Sequence, residues 1–102
     1  MRGLLSRDQI ADQVSLFNDA SKLRVPAFAV IDRLQMTAEH YTPGEQIIGT
    51  AVALIAMCQS ANVNLQDVLT KASRALSDTE GPYSTHMRAI RDYAANELRG
   101  RP

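Results

Sequence analysis

The sequence predicts an all-α fold, a compact bundle of four to five helices around a buried central helix at about residues 43–61. Three observations predict it. Apolar residues recur at helical spacing through most of the chain. Aromatic residues make up 5% of the chain and Trp is absent, so the core must be built from Leu, Ile, Val, Ala and Met. The one stretch that could be read as a strand, Ala27-Phe28-Ala29-Val30-Ile31, has no second strand to pair with. An unpaired strand would leave its backbone groups unsatisfied, which favours helix there.

The central helix is the best-defined element. Thr42 fits as its N-cap, and Glu45 three residues on completes a capping box. Pro43 falls at the first helical position, where its missing N–H is harmless. Ile47, Ala51, Leu54, Ile55 and Cys58 follow at helical spacing, and Ile48, Val52 and Met57 widen the stripe. A helix apolar nearly all round is expected to be buried on several sides. One row is different: Gly49, Ala53, Ala56 and Ser60 recur at i, i+4, i+7 and i+11, and all are small. Such a row admits close approach of another helix, either from the same chain or from a symmetric dimer partner.

The other elements follow in order. Ser6 to Gln9 forms a second capping box opening a helix from about Arg7 to Ala20, with Leu4 or Leu5 as a hydrophobic staple. Ile10, Val14 and Phe17 mark its inner face. Ser21 to Val25 reads as a connection, and Pro26 starts a helix reaching toward His40. After the central helix, Asn62 suits the left-handed conformation that ends helices, and Asn64 caps the next one. Leu65, Val68, Leu69, Ala72 and Leu76 stripe that helix to about Ser77. Ser77 to Pro82 is a turn. A last helix from Tyr83 or Ser84 to Arg99 carries Met87, Ile90, Ala94 and Leu98 inside, and Gly100-Arg101-Pro102 stops it.

Size and charge narrow the functions. The 102 residues read as a single domain, 1–102. Eleven basic residues balance eleven acidic ones, which gives no general pull toward nucleic acid or an anionic membrane. Lys and Arg are absent between Leu34 and Thr70. The longest apolar run, Ala51 to Cys58, is far short of the roughly 18–20 residues of a membrane span. Cys58 is the single cysteine, so no intrachain disulfide forms, and its place mid-stripe suits a buried inert thiol. Residues 1–8 hold no apolar segment of signal-peptide length, so a cytoplasmic location is expected.

Candidate sites are few. Ala61, Asn62, Val63, Asn64 and Val68 match the turn of a DNA-binding helix-turn-helix, which over residues 61–74 would aim Asn64, Gln66, Thr70, Lys71 and Arg74 at a groove. Asp67 and the want of nearby cations oppose this, as does the expected burial of the preceding helix. His86, Arg88, Arg91, Arg99 and Arg101 form a second basic group, able to hold a phosphate or an acidic partner or simply to be a solvated face. His40, His86 and Cys58 do not share metal-ligand spacing. Asp8 and Asp12 are an isolated carboxylate pair. No nucleophile elbow, phosphate loop or paired catalytic acid is present, so no cofactor and no enzymatic activity are expected.

Pro43-Gly44-Glu45-Gln46-Ile47-Ile48-Gly49, Val63 with Gln66 to Leu69, and Arg88-Ala89-Ile90-Arg91 through Tyr93 to Leu98 resemble small helical accessory proteins of tailed bacteriophages, over about residues 43–98. No defined activity attaches to that group. The resemblance implies a virus-encoded accessory protein acting in a host cytoplasm by binding a host protein. Together these readings favour a non-enzymatic, homodimeric protein–protein interaction module. The alternative is a small helix-turn-helix DNA-binding regulator.

Overall fold

The computed structural model describes residues 4–78 and 81–99, which contain helices and turns and no strand. Five α-helices run in order: α1 (Arg7–Ser15), α2 (Arg24–Gln35), α3 (Pro43–Ser60), α4 (Leu65–Ser77) and α5 (Ser84–Arg99). A 3₁₀ turn, Ala20–Leu23, sits between α1 and α2. The all-α expectation is therefore met, and Ala27 to Ile31 is helix. The expected stop at Gly100 to Pro102, part of the turn at 77–82, and Arg101 lie outside the described residues.

The caps form as the sequence implies. Ser6 and Gln9 exchange both bonds of a capping box, and so do Thr42 and Glu45. The Asn64 side chain accepts the Asp67 N–H at 3.2 Å. Asn62 takes a left-handed φ of 56°. Around it the Val63 N–H reaches the Cys58 carbonyl and the Asn62 N–H reaches that of Gln59, the paired bonds of a Schellman motif.

Three boundaries differ. Helix α1 ends at Ser15, not Ala20, because Asp19 draws the chain into the 3₁₀ turn by accepting from the Ser21 N–H and hydroxyl. Helix α2 begins two residues before Pro26, whose missing N–H falls in the first turn, where amides have no helical acceptor. It ends at Gln35 rather than near His40, because the Leu34 carbonyl is taken by the Thr37 N–H, the Thr37 hydroxyl and the Gln46 amide. The Leu4 staple is not made, since Leu4 is fully exposed.

Helix α5 organises the packing, with α2 on one side and α4 on another. Met87 of α5 is buried, and Ile90, Ala94 and Leu98 are half-buried below it. The Phe28 and Tyr93 rings stack with centroids 4.4 Å apart, the Arg24 guanidinium lies 5.4 Å from the Phe28 centroid, and the Tyr93 hydroxyl donates to Asp32. Borrowed cations join three helix ends. Helices α1 and α3 have no basic residue in their last turns. Lys71 donates to the Ser15 and Phe17 carbonyls after α1, and Arg7 donates to the Gln59 carbonyl of α3. Arg91 does the same for Leu76 near the end of α4. Each places positive charge where the helix dipole is negative.

The expected burial of the central helix is not observed. One narrow side of α3, through Gln46, Thr50, Leu54 and Cys58, faces the other helices, and Ala61 continues it. Ile47, Ile48, Val52 and Met57 are each more than half exposed. The main helix pairings are α5 with α2 and α5 with α4, so neither α4 nor α5 wraps α3. The surface total agrees. A folded monomer of 11.2 kDa is expected to expose about 5,700 Å², whereas this chain exposes 7908 Å². Its radius of gyration is 14.8 Å, against about 12.8 Å for a compact chain of this length.

Candidate interaction surface

Gln46 sets how α3 sits. Its buried amide nitrogen donates to the Leu34 carbonyl at 2.8 Å and to the Thr37 hydroxyl at 3.2 Å, tying the first turn of α3 to the end of α2. At the other end Arg7 holds the Gln59 carbonyl. Fixed at both ends, α3 turns Ile48, Val52 and Ile55 outward at i, i+4 and i+7. These side chains are 68%, 62% and 40% exposed. The row of Gly49, Ala53, Ala56 and Ser60 lies beside them and is also exposed. Nothing lies within 4 Å of where a Cβ on Gly49 would sit. A mid-helix glycine costs about 1 kcal/mol relative to alanine, and no contact within the chain requires it here.

The electrostatics of this face are simple. No Asp, Glu, Lys or Arg occurs from Gln46 through Gln66. Charge borders the face at its ends: Glu45 at the start of α3 and the Arg7 guanidinium at its finish. The Thr42 N–H and hydroxyl hold the Glu45 carboxyl below its ordinary value, so it is ionised at neutral pH.

The structure does not gather the helix-turn-helix candidates into a free reading surface. Asn64 is occupied as a cap, and Lys71 is occupied at the end of α1. Thr70 is half-buried, while Gln66 and Arg74 are exposed. The exposure of α3 removes the objection that the preceding helix is too buried; the acidic Asp67 and the want of nearby cations remain. In the second basic group Arg88 and Arg99 are exposed, while Arg91 is engaged with Leu76 at 2.6 Å. The links made by Lys71, Arg7 and Arg91 span 15 to 56 positions, and no local pattern announces them.

Two concavities also mark the surface of the described residues. A cavity of about 590 Å³ opens between α1, the 3₁₀ turn and α4, lined by Ile10, Val14, Phe17, Leu23, Val68 and Ala72 among others. Its volume is that of a small-ligand pocket, and none of its lining residues belongs to α3. A second, of about 370 Å³, lies between the α2–α3 connection and Leu98, with Glu39 and His40 on its wall. Both of those residues are exposed. Among the described residues no group of His, Cys, Asp or Glu could hold a metal ion, and no helix is long and apolar enough to cross a membrane.

No family model matches the chain, and neither does any curated protein or solved structure.

Proposed function

We propose that the chain is a non-enzymatic protein–protein interaction module, homodimeric, whose association surface is the outer face of α3. As its resemblance implies, it would serve as a virus-encoded accessory protein docking onto a host protein in the cytoplasm. The observation that carries the reading is the exposure of Ile48, Val52 and Ile55 on a helix without charge beyond its first turn. A contiguous apolar face of this kind marks an interaction site on a folded protein. The face is left uncovered by the helix's own chain, with Ile48 68% and Val52 62% exposed.

Affinity capture with three chains tests it. The wild type is expected to retain a stoichiometric species, a second copy or a host protein. Ile48→Glu should lose it, and Arg88→Glu, on α5, should keep it. Retention by Ile48→Glu and loss by Arg88→Glu would move the surface to the basic helix and end the α3 reading.

A further inference from the structure

Resting on the α3 reading, we infer that the occupant of this face is the α3 of a second copy, laid antiparallel about a two-fold axis near Val52. The chain as a whole has surface to spare for an occupant of that size, with Ile48, Val52 and Ile55 among its exposed apolar side chains. The chain exposes 7908 Å², about 2,200 Å² more than a compact monomer of its mass. Even the full unfolded-chain surface of the eight residues outside the described set, about 1,300 Å², leaves about 900 Å² of excess. A stable interface takes about 800 Å² from each partner.

The two rows of the face are nearly symmetric about Val52 and Ala53. Ile48, Val52 and Ile55 centre on Val52, and Gly49, Ala53 and Ala56 centre one residue further on. A two-fold perpendicular to the helices lays each row against its own copy. Large side chains then meet large ones on one side of the seam. Small residues meet on the other, where Gly49 and the alanines let the backbones approach. The absence of charge between residues 46 and 66 means no like charges are brought together within the seam.

The ends decide the direction. Glu45 lies on the same side of the helix as Ile48, Val52 and Ile55, and so does Gln59. In a parallel pair Glu45 would face Glu45, and the Arg7 guanidinium at the far end would face its own copy. In the antiparallel pair Glu45 of each chain meets Gln59 and Arg7 of the other. There the Gln59 amide is a donor to the carboxylate and Arg7 supplies the opposite charge. The helix dipoles also oppose one another, as they prefer. Because no α3 residue lines the 590 Å³ cavity, the dimer carries two copies of it.

Cysteine cross-linking tests the arrangement, in a Cys58→Ser background so that no native thiol competes. Val52→Cys alone should form a disulfide-linked dimer under mild oxidation. When Ile48→Cys and Ile55→Cys chains are mixed, the 48–55 heterodimer should exceed either homodimer by about tenfold or more, a preference of about 1.4 kcal/mol. Ser73→Cys, exposed on α4, should give only background. Dominant 48–48 and 55–55 homodimers would overturn the antiparallel direction while leaving the α3 reading in place. Sedimentation of the unsubstituted chain needs no mutant to fold. A one-chain mass there, with capture of a different protein still lost on Ile48→Glu, would overturn the second copy as occupant.

Discussion

Replacing Val52 by glutamate separates association from folding. Val52 is 62% exposed in the single chain, so the substitution removes little intrachain contact. Stability of the fold should change by no more than about 0.5 kcal/mol, as for other exposed positions. The dimer is affected differently. Covering the remaining surface of Val52 contributes about 1–2 kcal/mol per chain, and both chains lose it. Near the two-fold the two carboxylates would face each other at roughly 8 Å, adding about 2 kcal/mol of repulsion at an effective dielectric of 20. The total is about 5 kcal/mol before desolvation, or more than three decades in Kd. Sedimentation velocity over a concentration series reads the association, and urea unfolding followed by circular dichroism reads the fold. The expected result is a monomer whose unfolding midpoint matches that of the wild-type chain diluted until it is monomeric, since dimerisation itself raises the midpoint of the undiluted wild type. A Val52→Glu chain that loses about 2 kcal/mol or more of fold stability relative to the wild-type monomer at high dilution would refute the reasoning, because it would show α3 covered by its own chain.

Three further outcomes follow from the packing. Gln46→Ala, which removes the buried amide that ties α3 to the Leu34 carbonyl and Thr37 hydroxyl but leaves the carbonyl its two Thr37 donors, should cost about 1–2 kcal/mol in chemical unfolding. At position 62, where φ is 56°, valine should destabilise by about 1–2 kcal/mol, while glycine should be neutral or slightly stabilising in a thermal melt. The Asp32 hydrogen bond, together with burial and the nearby Asp32 and Glu97 charges, pushes the Tyr93 hydroxyl up to about 12 from 10.0. The native state therefore favours the neutral phenol. Its contribution is complete below pH 10 and lost as pH rises from 10 toward 12, and Tyr93→Phe should remove that segment of the pH–stability curve.

Local signals in the sequence were reliable wherever the physics is local. Ser6, Thr42, Asn62 and Asn64 each occupy the cap or turn position their chemistry implies, and α3, α4 and α5 begin and end within a residue or two of expectation. The misjudged ends of α1 and α2 came from competition for the same groups: Asp19 with its neighbours, and Gln46 reaching twelve residues back for the Leu34 carbonyl. The larger error concerned α3. Its stripe wraps nearly the whole helix, so it has no polar side to mark which face meets solvent, and apolar periodicity cannot say whether a neighbour or a partner covers it. The candidate surface was partly legible. Gly49, Ala53, Ala56 and Ser60 were identifiable as a close-approach row, whereas the exposure of Ile48, Val52 and Ile55 beside them depends on where Gln46 and Arg7 pin the helix.

The molar mass of the unsubstituted chain tests the central claim most directly. Sedimentation equilibrium at micromolar to tens-of-micromolar concentration should return twice the 11.2 kDa of one chain, dissociating only on dilution. A mass of 11.2 kDa throughout that range, with the face of α3 protected from solvent labelling, would contradict it.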